Sequence, residues 1–285
     1  MVYKRSYRAY DGQLTPRWSR FMILMRYSKR AIFASRALTG FFILCLLWPL
    51  ICAVGLYLNH NTLVLTAMRF SGDHLFDVDN RFFLTFMAVQ GWCAFLSTAF
   101  IGPNLVAPDL ANNALPLYFC RPLNRAEYIV GRGAVIVYLL SFITWIPGLL
   151  LFGIETSLSG ATWAWNNGTI AAGLVFGFLL WILFLTLLAL ALSAWVRWKI
   201  VAGGLLLGCM FVSSGFAAAF NAVLRTHVGH YIDPAVLIAS IWSHLLKAPF
   251  DIPIPTTNAC IAMLSMCAVL VYILQKKVRA YEVVK

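Results

Sequence analysis

The sequence predicts an all-α polytopic membrane protein with six transmembrane helices, and three observations carry that prediction. Six long apolar runs, roughly 37–58, 82–107, 129–154, 169–195, 200–224 and 256–275, are each long enough to cross a ~30 Å hydrocarbon core. No Asp, Glu, Lys or Arg lies deep inside any of them. The basic residues crowd into alternate gaps: 18 of the 22 Lys and Arg fall before the first run, between the second and third, between the fourth and fifth, and after the sixth. The other gaps hold six of the ten acids: Asp73, Asp77, Asp79, Glu155, Asp233 and Asp251. By the positive-inside rule both termini are expected to be cytoplasmic; the expected location of this multi-pass chain is the plasma (inner) membrane.

Composition narrows the possibilities further. With 285 residues, 61% of them hydrophobic, and a mean hydropathy of +0.81, the spans consume almost the whole chain and leave no room for a soluble domain. The expected organisation is a cytoplasmic N-terminal segment 1–36, a six-helix membrane domain 37–275 and a basic cytoplasmic tail 276–285. The net charge of +12 is accounted for by flanks that face anionic lipid headgroups, so no nucleic acid is expected as a partner. Six of the seven cysteines fall inside the runs, where they read as small apolar packing residues; neither a disulfide nor a metal site is expected of them.

Taken in order, the N-terminal segment carries Thr15 and Pro16, a helix start with Pro at the first position. Trp18, Phe21, Met22 and Met25 then recur at i, i+3, i+4 and i+7 while Arg17 and Arg20 face away. This spacing predicts an amphipathic helix lying in the interface. The first span follows directly. The second is expected to end at Gly102-Pro103, beyond which 104–109 leads into a short mixed segment that Pro116 and Pro122 make too broken to span. Arg121-Pro122 is extended. Asn124, three residues ahead of Glu127, reads as an Asn variant of the capping box and starts the third span sharply. In the last outer gap Asp233 reads as an N-cap and Pro234 as the first helical residue of an apolar helix that is too short to cross. It is expected to dip into the outer leaflet as a re-entrant segment before the sixth span.

The chemistry expected of an ion-coupled pump or a membrane enzyme is missing from the pattern. No ionisable residue sits at mid-membrane, and Asn221, Ser213, Ser214, Thr144 and Trp145 read as interhelical hydrogen-bonding groups. There is no G-x-S-x-G, no H-E-x-x-H and no Walker A loop. All five histidines lie in the outer gaps, and although His227, His230 and Asp233 are spaced three apart, Asp233 serves better as a cap; no metal site is expected.

The segment 109–132, DLANNALPLYFCRPLNRAEYIVGR, resembles the cytoplasmic loop of ABC-2-type transporter permeases: an Asp, a Leu/Tyr stretch, an Arg-Pro-Leu turn and an acidic-Tyr helix start. Asn124 stands where Ser is usual and Arg132 where Lys often follows the Gly. The six spans, the interfacial helix and the dipping segment extend the resemblance over essentially the whole chain. It implies a permease subunit, an exporter by family tendency, without ATPase motifs of its own. It also implies two partners, a second copy or a paralogue, and a separate nucleotide-binding ATPase that holds ATP and Mg. The loop between spans two and three would be a coupling helix that docks the ATPase. Asp109, Leu115, Leu117, Tyr118, Arg121, Pro122, Arg125 and Glu127 would form the docking surface, an apolar and aromatic knob with a polar rim. Two other readings stand beside it: a subunit that anchors or transmits force in an ATPase-driven complex without translocation, and an integral membrane enzyme. The substrate is not legible.

Overall fold

The computed structural model describes Met22, Met25, Arg26, Ser28, Ile32, Phe33 and residues 35–61, 76–112, 125–196, 198–249 and 254–277. Long apolar stretches can satisfy their backbone only by coiling, and every element found is helical. In chain order these are α1 (Arg36–His60), α2 (Asn80–Ile101), α3 (Pro103–Ala111), α4 (Arg125–Ile143), α5 (Trp145–Ser159), α6 (Ala161–Asn166), α7 (Gly168–Trp195), α8 (Lys199–Leu224), α9 (Pro234–Leu245) and α10 (Thr256–Lys277). A 3-10 turn, Val228–Ile232, joins α8 to α9, and no strand occurs among the described residues. Six helical rods are long and apolar enough to cross a membrane: α1, α2 with α3, α4 with α5, α7, α8 and α10. The chain is a multi-pass membrane protein.

Because successive spans run in opposite directions, Arg36, Arg132, Lys199 and Lys276 lie toward one end of the bundle, here the basic end. Asp79, Glu155 and Asp233 lie toward the other, acidic end. The centre of the bundle is α7, which is 67% buried over its apolar window and packs on α2, α3, α4, α5, α8, α9 and α10. By contrast α1, α8 and α10 are each only 22% buried, so they present most of their apolar surface outward.

Two spans are each divided into two helices beside a proline, which removes a backbone donor. Pro103 cannot bond the carbonyl of Ala99, yet Gly102 keeps a right-handed helical backbone and its amide reaches Thr98 O at 2.8 Å. The helix therefore continues as α3 rather than ending at Gly102-Pro103, and the stretch 104–109, expected to lead from that end into the mixed segment, is helical. Close approach of α7 makes this possible: a side chain at Gly102 would come within 2.7 Å of Ala189 Cβ, and Ser193 Oγ donates to Gly102 O at 3.0 Å. The third span bends at Thr144, three residues before Pro147, and then runs on to Ser159. Glu155, expected in a gap, is thereby drawn into α5 and is 2% exposed.

Asp233 accepts from the Ala235 amide at 2.9 Å and Pro234 opens α9, which is the capped start expected of it. The buried face of α9, Leu237, Ile238, Ile241 and Trp242, wedges between α2 and α7. Gly177 receives it, since a Cβ there would lie 2.7 Å from both Trp242 and Met87. The spacing of Gly173 and Gly177 thus serves α9 and its following turn, whereas Cβ atoms at Gly204 and Gly208 would meet nothing within 4 Å.

Candidate functional site

Of the residues expected in the docking loop, Leu115, Leu117, Tyr118, Arg121 and Pro122 lie outside the described residues, as does the side chain of Arg125. The same holds for Asn124, the expected cap, and for Trp18 and Phe21 of the expected interfacial helix. Met22 is exposed and Met25 packs against the core. The two stems of the loop are described, and they are tied together.

Asp109 sits in the last turn of α3, where a carboxylate opposes the negative end of the helix dipole. Tyr128 and Arg132 lie four apart on α4, so one helix face presents both. Tyr128 donates its hydroxyl to Asp109 Oδ2 at 2.6 Å, and the Arg132 guanidinium forms a close ion pair with the same oxygen. The guanidinium carbon also lies 5.6 Å from the centre of the Tyr128 ring. Its other terminal nitrogen donates to Ser28 Oγ at 2.6 Å. Tyr128 is 1% exposed and Arg132 9%. One arginine thus holds three segments: the N-terminal segment through Ser28, the exit of the second span through Asp109, and the start of the third through its own helix. Glu127, half-buried, adjoins this tie.

The tie is mechanical in character. Arginine stays charged at any working pH, and its planar fork can hold two acceptors at once in a fixed geometry. Lysine, a single point charge, would not bridge Ser28 and Asp109 in this way.

At the acidic end a second polar tie joins α1 to α5. Ser159 donates to Glu155 Oε1 at 2.5 Å, and His60 Nε2 lies 3.5 Å from that oxygen and 3.1 Å from Ser159 Oγ. His60 Nδ1 meets the Leu56 carbonyl at 3.2 Å. Next to it Asn59 exchanges two hydrogen bonds with the Phe76 backbone, at 3.0 and 3.1 Å.

The polar groups expected to bridge spans mostly bond locally. Ser213 donates to Met210 O and Thr144 to Leu140 O within their own spans, because a short hydroxyl reaches the preceding turn more readily than a neighbouring helix. Asn221 accepts from the Gly229 amide in the turn that follows α8. Bonds between spans come instead from Gln90, which donates to Cys45 O, Trp181, which donates to Gly91 O, and Ser193. Gln90 had a readable signal, a lone amide in an apolar run. Among the described residues no group of three or more His, Cys, Asp or Glu is placed to hold a metal ion, and His227 and His230 stack ring on ring. No protein-family model and no curated protein matches this sequence.

Proposed function

We propose that this chain is the membrane-spanning subunit of an ATP-driven transporter of the ABC-2 type, and that it works with a nucleotide-binding ATPase supplied by another chain. The observation that carries the reading is the Asp109, Tyr128, Arg132 and Ser28 tie. A loop that must transmit a push from a soluble motor into helices needs stiff stems. Here both stems and the N-terminal segment meet on one guanidinium. Force applied to the tip at Leu117, Tyr118 and Arg121 would reach the second and third spans and the N-terminal helix together.

In this reading the basic end is cytoplasmic, residues 15–25 lie in the membrane interface, and α9 is a re-entrant element of the outer leaflet. Two copies, or this chain and a paralogue, enclose the path, and export is the direction that the resemblance implies. ATP and Mg belong to the partner, which agrees with a sequence that has no Walker A loop.

The test is to purify the chain from detergent-solubilised native membrane, identify the subunits that accompany it and assay ATP hydrolysis. A stoichiometric ATPase that is lost with Tyr118→Ala and Arg121→Glu is the expected result. A clean preparation without ATPase overturns the reading. An ATPase that co-purifies equally with both variants removes the docking role of the loop.

A further inference from the structure

Beside the tie, at the basic end, lies a cavity of about 770 Å³ between the N-terminal segment, the start of α1, the α2–α3 bend, α4 and the start of α8. We propose that it binds the phosphate headgroup of an anionic phospholipid from the adjoining leaflet. The juxtaposition that carries this is Arg132 and Lys199 in the lining of one cavity with the exposed apolar side chains of Phe100 and Ile200.

The charge has one sign. Both ionisable residues among the described lining are cations, and no carboxylate is among the described lining residues. Arg132 is fixed, 9% exposed, and shares its charge with Asp109. Lys199 opens α8, is exposed, and forms no ion pair among the described residues, so among these residues its charge in the cavity is uncompensated. Ser28 and Asn104 add neutral polar groups to the lining. A headgroup phosphate is the ligand that such a mixture recognises: one anionic group met by the Lys199 ammonium in a cavity that Arg132 also keeps positive, with hydroxyl and amide neighbours.

Size and surroundings separate a lipid from a soluble phosphate. The volume lies within the range of small-molecule sites, ~300–1,000 Å³. Two of its apolar lining residues are exposed, Phe100 by 51% on the second span and Ile200 by 82% at the start of the fifth. A soluble phosphate would gain nothing from these side chains, whereas acyl chains descending from a bound headgroup would lie along them. The site is also at the end of the bundle where a lysine stem can cover apolar surface while its ammonium reaches headgroup depth.

The proposal does not depend on an ATPase, and its test uses none. The full-length chain is purified in mild detergent and titrated with phosphatidylglycerol, with phosphatidylcholine and with inorganic phosphate, and binding is read by native mass spectrometry. Phosphatidylglycerol is expected to bind ~10-fold more tightly than phosphatidylcholine, the worth of one additional charge contact. Lys199→Glu removes that preference and Lys199→Arg keeps it. Lys276→Glu, an exposed basic residue at the same end but outside the cavity, leaves it unchanged. Lys199 is exposed, so the variants should melt with the parent in the absence of lipid, and that melt is the check on folding. The proposal is overturned if the parent shows no preference, if Lys199→Glu retains it, or if Lys276→Glu lowers it as much. It is also overturned if inorganic phosphate binds with the same dependence on Lys199 while phosphatidylglycerol does not.

Discussion

Replacing Asp109 with alanine removes the oxygen shared by Tyr128 and Arg132 and leaves a guanidinium that is 9% exposed without its counter-ion. Breaking a buried ion pair from one side costs about 3–5 kcal/mol, because the remaining charge is stranded. The lost tyrosine bond adds about 1 kcal/mol. The pair stands at a membrane edge with side chains 11% and 13% exposed, so water can partly reach the stranded arginine. Screening by that water brings the sum of about 4–6 kcal/mol down to about 3 kcal/mol. For a chain of this size each kcal/mol lowers the melting temperature by about 2–4 °C, which gives a drop of about 6–12 °C. Asp109→Asn keeps an acceptor but not the charge and should fall between. The decisive comparison is Asp109→Ala with Arg132→Met. Removing both charges should cost less than the sum of the two single changes by about 2 kcal/mol, as residues in one contact network are not additive. Thermal melts of the four proteins in one detergent complete the cycle. If the double change is additive, or Asp109→Ala shifts the melt by less than about 1 °C, the stems are not held by this pair.

Other expectations follow from particular contacts. Gly177→Val places a side chain where Trp242 and Met87 already stand, at 2.7 Å, and should destabilise by about 2–3 kcal/mol, while Gly208→Ala, with open space around it, should leave the melt unchanged. Asp233→Ala removes the cap of α9 at a cost of about 1 kcal/mol, which hydrogen exchange should report as a roughly five-fold faster opening of amides 235–237. Glu155→Ala removes the acceptor of Ser159 and the partner of His60 and should cost about 1–2 kcal/mol, visible as a lower melting temperature; an unchanged melt would mean the two spans are held elsewhere.

The spans were legible because a long apolar run has one solution in a bilayer. The expected run 169–195 is the helix Gly168–Trp195, and 200–224 is Lys199–Leu224. The start of α9 was equally readable, since an Asp-Pro pair followed by apolar residues encodes a cap and a first turn locally. What depended on neighbours was not. Gly102-Pro103 carries the local signature of a helix end, and only the packing of Ala189 and Ser193 against it shows why the helix goes on. Glu155 read as a loop acid because its partner, His60, is 95 residues away and no local rule pairs them. In the candidate site Asp109 was singled out from the resemblance, and Tyr128 and Arg132 carried a local signal, their four-residue spacing on a helix. Their convergence on one carboxylate oxygen, and the link to Ser28, are long-range facts. Tyr118 and Arg121 lie outside the described residues.

Cys120 lies between Tyr118 and Arg121 in the sequence and supplies a direct measurement. Inverted native membranes are labelled at Cys120 with a thiol-reactive photo-crosslinker, illuminated, and the adduct is identified by mass spectrometry, with Cys120→Ser as the control. Docking predicts an adduct with a nucleotide-binding ATPase that disappears in the control and is weakened by Asp109→Ala. An adduct with no ATPase in it, under conditions where Cys120 is fully labelled, would contradict the proposed function.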